Sequence, residues 1–363
     1  TLYVGGQDSD GVRIDGTIGF SNIVETEKVF IQDGKGLALV GKADQNYTSL
    51  VGDNGAVSVI GEGSELVLGT TYRQNLTGKL ALVVVTQGGK LLVKGGDYRL
   101  ESLTAASSVN SVSEVETVGG SKLSIGALDV GGAKLTNQGA IVAKSFTDDA
   151  ETASTNKGTL QVTKATTVAG NMTNQTGGSL TIDGRLTVTG KLINEAAQVT
   201  RAGSTGIQVA GIDVVTTGTV KNAGVLVSTG TNNFTSQFEN VGLNSQTHVF
   251  HNEAGATVDL SKGATVIGGA TTANASHVRA KAPETSVLNE GTMKLADVTV
   301  NDFGTLHNGD TGQITAGTIT VDTFGAVNNA GELQATSVNG DGVYRNSKTT
   351  IANTVALNKL TNG

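Results

Sequence analysis

Apolar and polar residues alternate along most of the chain, and this alternation predicts short β-strands. One clear example holds the apolar residues Leu180, Ile182, Leu186, Val188 and Leu192. The residues between them are mostly Thr, Asp and Gly. A period of two residues is that of a strand with one buried face. Because no long 3.6-residue pattern is present, the sequence predicts an all-β protein.

An asparagine followed by a turn and an aliphatic strand recurs through the second half of the chain. Its clear copies are Asn137, Asn156, Asn174, Asn194, Asn222, Asn252, Asn289, Asn308 and Asn329. The steps between them are 19, 18, 20, 28, 30, 37, 19 and 21 residues. These steps indicate a unit of about 20 residues. The steps of 28 and 30 then contain an inserted loop, and the step of 37 counts as two units.

Short strands, frequent turns and a fixed period favour a solenoid in which each unit is one coil of a parallel β-helix. Stacked at the strand spacing of ~4.8 Å, the recurring asparagines are expected to hydrogen-bond in a structural ladder. The glycine that often follows is expected to supply the positive φ of a tight corner. A β-sandwich array would need a period of roughly 80–100 residues, and none is visible.

The repeat predicts one elongated domain over residues 1–363, with less regular coils in residues 1–55. Protruding loops are expected near residues 107–118, 145–157, 228–247 and 271–287. The chain ends Leu360-Thr361-Asn362-Gly363, which repeats the opening of the unit at Leu135-Thr136-Asn137. We therefore expect this chain to be a fragment of a longer protein.

The composition narrows the class of protein further. The 363 residues include 51 Gly but only one Pro, no Cys and no Trp, and the net charge is −7. Without Cys there is no disulfide framework, thiolate metal site or cysteine nucleophile. The acidic balance argues against nucleic acid or an anionic membrane as the main partner. The longest obvious apolar run, Leu80 to Val85, is far short of the roughly 18 residues of a membrane-spanning helix.

Few residues suggest catalysis or metal binding. Asp148-Asp149 resembles a pair of catalytic carboxylates, but it falls in a predicted loop rather than on one rigid face. His248 and His251 are three residues apart, which on a regular strand places them on opposite faces. Asp310 and Asp341 resemble calcium turns without the repeat of a calcium β-roll. The sequence therefore predicts no catalytic residue, no metal site and no cofactor.

The loop near residues 271–287 contains the best candidates for ligand binding. His277, Arg279 and Lys281 lie close together there, and Arg and Lys side chains are the usual partners of acidic groups. Insertions that leave a solenoid commonly supply its binding surface. We expect these three residues to face a ligand such as an acidic sugar.

Repeats such as Leu135-Thr136-Asn137-Gln138-Gly139 and Val287-Leu288-Asn289-Glu290-Gly291-Thr292 resemble the passenger domains of Gram-negative autotransporter adhesins. Filamentous-haemagglutinin-like β-helix proteins are the near relatives in this likeness. The resemblance covers roughly residues 55–363. It implies a right-handed parallel β-helix that is exported through the outer membrane and displayed on the bacterial cell surface.

The function that this resemblance implies is adhesion, with roles in aggregation, biofilm formation and virulence. The partner is expected to be a host extracellular-matrix protein or glycan, or a second copy on a neighbouring bacterium. No nucleic-acid partner and no membrane insertion of this chain are expected. One alternative is a β-helical polysaccharide-degrading enzyme or tailspike, although aromatics for sugar stacking make up only 4% of the residues. The other is an inert stalk that presents a distal domain.

Overall fold

A computed structural model describes most of the chain, and every described element is a β-strand. The described ranges are residues 2–4, 12–14, 18–20, 28–39, 47–49, 55–70, 77–149, 151–195, 206–235, 248–269 and 285–362. Across these ranges the strands pair in parallel and no helix is present, which gives a parallel β-helix. The fold class is therefore confirmed, while the right-handed sense of the coil stays a prediction.

The chain divides into two compact units, which are described separately. Unit 1 holds Thr1–Thr173 and Gly177–Thr181, and unit 2 holds Asn174–Thr176 and Ile182–Gly363.

The strands of unit 1 are short, apart from four that run around a bend. They are β1 (Leu2–Val4), β2 (Val12–Ile14), β3 (Ile18–Phe20), β4 (Lys28–Ile31), β5 (Gly36–Leu39), β6 (Tyr47–Ser49), β7 (Ala56–Ile60), β8 (Glu65–Leu68), β9 (Thr77–Thr86), β10 (Lys90–Val93), β11 (Gly96–Ala106), β12 (Glu114–Thr117), β13 (Ser121–Gly131), β14 (Lys134–Asn137), β15 (Ala140–Asp148), β16 (Ala153–Asn156), β17 (Thr159–Val162) and β18 (Thr166–Val168). The four that run around a bend are β9, β11, β13 and β15.

Two further strands, β19 (Asn171–Asn174) and β20 (Ser179–Val188), include residues of both units. The strands of unit 2 are β21 (Lys191–Asn194), β22 (Gly206–Val214), β23 (Thr219–Asn222), β24 (Val225–Ser228), β25 (Asn232–Phe234), β26 (Phe250–Asn252), β27 (Thr257–Leu260), β28 (Thr265–Ile267), β29 (Thr285–Asn289), β30 (Thr292–Leu295), β31 (Val298–Val300), β32 (Gly304–Asn308), β33 (Gln313–Val321), β34 (Ala326–Asn329), β35 (Glu332–Asn346) and β36 (Thr349–Asn362).

Each regular coil has three faces, and the coil that starts at β12 shows all of them. Strand β12 pairs with β10 and β14, and this column of strands ends in the recurring asparagines; we call it the ladder face. The first part of β13, up to Ile125, belongs to the middle face, and its second part, from Ala127, belongs to the third face. Strands β11, β13 and β15 all turn from the middle to the third face in this way.

The core is a column of aliphatic side chains that point inward from all three faces. On the ladder face Val115 stacks on Leu135, and on the middle face Leu123 stacks on Ile141, with every one of these side chains buried. A fully buried Leu or Ile contributes about 1.5–3 kcal/mol relative to an exposed one. One or two such residues per strand, repeated in each coil, therefore hold together a core with very few aromatics.

The long steps of the asparagine repeat are single coils with insertions. Asn194 pairs with Asn222, and Asn222 pairs with Asn252, in adjacent strands 28 and 30 residues apart. This confirms that those two steps contain one coil and an inserted loop. The step of 37 residues was wrongly counted as two coils, because Asn252 pairs directly with Asn289 on the neighbouring strand.

Two of the four predicted loops lie almost wholly within the described residues, and both protrude less than the sequence predicted. Residues 107–118 contain a short turn with a fully exposed Val109 and the strand β12, one side of which is buried. Residues 145–157 are the end of β15, one corner and the whole of β16. Of the other two predicted loops, residues 236–247 and 270–284 lie outside the described residues.

Phe234 lies within the predicted loop at residues 228–247, but in the structure it is a core residue of β25. Its ring centre lies 5.0 Å from that of Phe250. Since both rings are buried, this aromatic pair belongs to the core of unit 2.

The glycines that follow the ladder asparagines are required for two different reasons. Gly177 and Gly255 have the positive φ that the sequence predicted, whereas others are needed for close stacking of the coils. Gly158 and Gly331 do not have the positive φ that corners require. A Cβ at either position would instead lie within 3.0 Å of a backbone carbonyl oxygen of the preceding coil. These glycines are therefore required because two backbones approach closely.

Alanine substitutions at two glycines of unit 2 separate these two causes. In Gly331→Ala the added Cβ meets the carbonyl oxygens of Gly309 and Gly312, so the free energy of unfolding is expected to fall by about 3 kcal/mol. Gly255 has φ near +81° but open space around a Cβ. Gly255→Ala is therefore expected to cost only about 1 kcal/mol. Urea unfolding monitored by circular dichroism gives both values, and equal losses would contradict the explanation.

Candidate functional site

The three residues that the sequence proposed for ligand binding cannot be placed. His277, Arg279 and Lys281 lie in residues 270–284, outside the described part of the chain. Among the described residues, four features contain groups that can bind a ligand or exchange a proton: the asparagine ladder, a group of histidines, a buried aspartate and a cleft.

Within each unit, the predicted asparagines lie at the same position of successive coils and are joined by side-chain hydrogen bonds. In unit 1, Asn137 Nδ2 donates to Asn156 Oδ1 at 2.7 Å. In unit 2, the donor–acceptor distances are 2.8 Å for Asn174–Asn194, 2.7 Å for Asn194–Asn222, 2.8 Å for Asn222–Asn252, 2.8 Å for Asn252–Asn289, 2.9 Å for Asn289–Asn308 and 2.8 Å for Asn308–Asn329.

Each ladder amide also holds the backbone of the next coil. Asn308 Nδ2 donates to the carbonyl oxygen of Glu332 at 3.0 Å, and Asn194 Nδ2 donates to that of Val225 at 2.9 Å. All nine asparagine side chains are buried. The ladder is therefore an internal clamp between coils, and it offers nothing to an external ligand.

The ladder extends one residue beyond the predicted set in each unit. In unit 1, the Thr117 hydroxyl donates to Asn137 Oδ1. In unit 2, Asn329 Nδ2 donates to Asn346 Oδ1 at 2.7 Å. Asn346 could have been predicted from the sequence, because it follows Asn329 by 17 residues, which is close to the length of one coil. Thr117 could not, because the repeat was defined by its asparagines.

Charged side chains on the outside of the ladder face are paired between coils. Lys90 Nζ lies 2.8 Å from Glu116 Oε2 and 3.5 Å from Glu114 Oε2, and Lys134 Nζ lies 3.7 Å from Glu114 Oε1. The hydrogen bond that Lys90 donates to Glu116 raises the pKa of Lys90, and burial opposes this effect. Exposed pairs of this kind contribute about 0–1 kcal/mol each to the free energy of unfolding, so this row of charges adds little to stability. It mainly places opposite charges next to each other in adjacent coils.

Three histidines from two coils meet on the outer surface of the ladder face in unit 2: His248 and His251 come from one coil and His307 from another. The His248 ring centre lies 5.9 Å from that of His251 and 6.2 Å from that of His307. The prediction that His248 and His251 lie on opposite faces was wrong. Val249 and Phe250 are both buried, so the alternation of faces is interrupted between the two histidines.

The surroundings of His248 and His307 favour uncharged imidazoles. Burial, followed by the nearby His307 and His251, lowers the pKa of His248 to about 4. Burial and the Arg345 guanidinium lower the pKa of His307. Arg345 also donates to Asn328 Oδ1, so that Asn328 Nδ2 donates to His307 Nδ1 at 3.2 Å, which assigns the ring proton to Nε2.

Neither this group nor the aspartate turns form a metal site in the described part of the chain. No set of three or more His, Asp or Glu side chains there is arranged to hold a metal ion. Asp310 and Asp341 are exposed residues, one in a turn and one on a strand. In the same ranges, no helix is long and apolar enough to cross a membrane.

Asp148 and Asp149 do not form a catalytic pair, and Asp148 is not in a loop. Asp148 is the last residue of β15 and is completely buried, with no hydrogen-bond partner for either carboxylate oxygen, whereas Asp149 is exposed. Burial raises the pKa of Asp148 to about 7, opposed by the nearby Thr152 hydroxyl and assisted by a smaller contribution from Asp149. Because one carboxyl group faces the core and the other faces solvent, the two cannot act together on a sugar.

A cleft of about 620 Å³ lies in unit 1 where the middle face bends into the third face. Its lining includes Arg99, Glu101, Ser124, Val142, Lys144 and Thr163. Successive coils contribute these residues, since the strand containing Arg99 pairs with that of Ser124, which pairs with that of Val142. The cleft follows the direction in which the coils stack. The sequence had singled out none of its residues, because they are far apart along the chain.

The fold and this surface define the chain as a parallel β-helix protein with a buried asparagine ladder. Searches with protein-family models, among curated proteins and among solved structures find no match to the chain.

Proposed function

We propose that this protein is a non-enzymatic adhesin of the bacterial cell surface, exported through the outer membrane. It attaches cells to a host extracellular-matrix protein or glycan, or to one another during aggregation and biofilm formation. The proposal rests on the surface chemistry of the coils and on the likeness of the repeat to autotransporter passengers.

The observation that carries the proposal is a column of small polar side chains on the outside of the third face. In unit 1, Asp129, Thr147 and Thr167 lie at the same outward position of three successive coils and are all exposed. In unit 2, the outward position of the third face is taken by Asp213, Asn233, Thr299, Thr320 and Asn339, and Val266 interrupts this column between Asn233 and Thr299. The fold thus repeats a hydrogen-bonding side chain at this position in most of these coils.

Such repetition suits adhesion better than it suits catalysis. The separation of paired strands, ~4.8 Å, sets the distance from one polar side chain to the next along the column. A partner that meets several of these positions gains from multivalency, because each later contact forms at a high effective concentration. Individually weak contacts therefore add up to firm attachment without a deep pocket.

An attachment assay with protein-coated beads tests the proposal. Beads coated with the purified chain are expected to be retained on matrix proteins or glycan arrays, or to aggregate with one another, well above uncoated beads. The proposal is overturned if the coated beads neither bind any of these surfaces nor aggregate.

Two matched variants of unit 1 test whether the third face carries attachment. In the first, Thr104, Thr147 and Thr167 on the third face are replaced by Lys. In the second, Thr136, Thr155 and Thr173 on the ladder face are replaced in the same way. All six point outward, so the folding cost of each set is expected to be small. Only the first set is expected to reduce attachment, and equal loss in both would contradict a role for the third face.

A further inference from the structure

We infer that the cleft of unit 1 is a binding site for an acidic oligosaccharide, an inference that rests on the proposed adhesive function. It names the ligand class and the residues that would recognise it.

The cleft owes its concave shape to the bend between two faces. The bend passes through Glu101 in β11, Gly126 in β13 and Lys144 in β15. A Cβ at Gly126 would come within 3.0 Å of the Glu101 carbonyl oxygen, so the stacking of the coils requires glycine there. The middle coil consequently contributes no side chain at the bend, and the space between Glu101 and Lys144 stays open.

The cations of the cleft are not neutralised by the protein. On the ladder face Lys90 and Lys134 are paired with Glu114 and Glu116. The side chains of Arg99, Lys144 and Glu101, by contrast, form no hydrogen bond or ion pair with any residue that the structure describes, and all three residues are exposed. Unpaired cations at a concave surface are available to bind anionic groups.

The spacing and chemistry of the lining match a chain of acidic sugars. Arg99 and Lys144 are two coils apart, which corresponds to ~10 Å along the stacking direction. A ligand therefore needs anionic groups at intervals, as an acidic oligosaccharide has. Its carboxylates would pair with Arg99 and Lys144, and its hydroxyl groups would donate to Glu101.

The floor of the cleft completes this match. Its aliphatic part is the half-buried side chain of Val142, since the other aliphatic lining residues, Leu100, Ile125 and Ala143, are buried in the core. The C–H faces of sugar rings can pack against such a floor, and the hydroxyl groups of Ser124 and Thr163 lie at its sides. A fatty acid would use the apolar floor and one cation only, and it would leave Glu101 without a partner.

Calorimetric titration of the whole chain tests this inference, with tetragalacturonate and a linear tetramer of sialic acid as probes, because both carry carboxylates at intervals. At least one acidic probe is expected to bind tenfold or more tightly than the neutral tetragalactose. The double variant Arg99→Ala/Lys144→Ala is expected to weaken that binding at least tenfold. The control Lys134→Ala/Lys157→Ala removes the same charge from exposed positions near the ladder face, and it is expected to change binding less than twofold.

Several results would overturn the inference. Failure of both acidic probes to bind would do so, and so would an equal loss of affinity in the control variant, which would indicate net charge alone. Polyglutamate binding as tightly as the sugar would show that the site selects anions in general. The bead assay separates the two proposals, because attachment without acidic-sugar binding refutes the cleft inference and leaves adhesion standing.

Discussion

Replacing Asn308 by alanine is expected to lower the free energy of unfolding of unit 2 by about 3–5 kcal/mol. The variant removes the acceptor that Asn289 Nδ2 uses at 2.9 Å and the donor that Asn329 Oδ1 uses at 2.8 Å. It also removes the hydrogen bonds to the carbonyl oxygens of Gly312 and Glu332. A buried polar group that loses its partner costs about 1–3 kcal/mol, and more than one group is affected here.

The neighbouring Asn328 provides the matched control for this prediction. Asn328 has the same side chain but lies on the outer surface, where it contacts His307 and Arg345. Asn328→Ala is expected to cost less than about 1 kcal/mol, as is usual for surface positions. Urea unfolding of both variants, followed by circular dichroism, gives the comparison. If the two losses were the same, the ladder would not be the clamp between coils that its geometry indicates.

The second large effect is expected at Asp148, where the stability of unit 1 should fall as the pH rises. The pKa of this buried carboxyl is raised from 3.8 to about 7. The folded state therefore binds more protons than the unfolded state between these two values. Stability is greatest below pH 4 and is lost progressively up to pH 7, by about 4 kcal/mol at 1.36 kcal/mol for each pKa unit.

The variant Asp148→Asn removes the ionisable group and is expected to remove this pH dependence. At pH 8 it should be more stable than the native sequence by about 2–4 kcal/mol, because no charge has to be buried. Asp149→Asn, on the exposed neighbour, serves as the control and should change little. Unfolding midpoints at pH 5 and pH 8 are the measurement. A native-like pH dependence in Asp148→Asn would contradict the assignment of the effect to this carboxyl.

His248 acts on stability in the opposite direction, and the comparison of variants takes this into account. Its pKa is lowered from 6.5 to about 4, so its contribution to stability is lost as the pH falls below 6.5. The native sequence, Asp148→Asn and Asp149→Asn all keep His248. Its effect therefore cancels when these proteins are compared at the same pH.

The coil architecture was accessible from the sequence because a solenoid repeats the same environment. Asn137 and Asn289 occupy equivalent positions in different coils, and equivalent positions select the same residue type. Alternation of Thr with aliphatic residues likewise reports which side of each strand is buried. Both patterns are local in the sequence, so one amino-acid sequence was enough to detect them.

Other features were misread because they depend on contacts between coils. The step from Asn252 to Asn289 is one coil, which only the pairing of strands β26 and β29 reveals. His248 and His251 share a surface because the chain bends at Val249. Gly158 is a glycine because the backbone of the preceding coil leaves no room for a Cβ.

What the sequence by itself determined is the repeat: parallel coils of about 20 residues, an aliphatic core and a line of asparagines. The tertiary structure alone decided which side chains from different coils meet. It placed Asp148 in the core, and it placed Arg99 and Lys144 along one cleft, although they are 45 residues apart. The physical reason is that strand register and the bend of each coil fix these distances. Neither property can be deduced from the local pattern of apolar and polar residues.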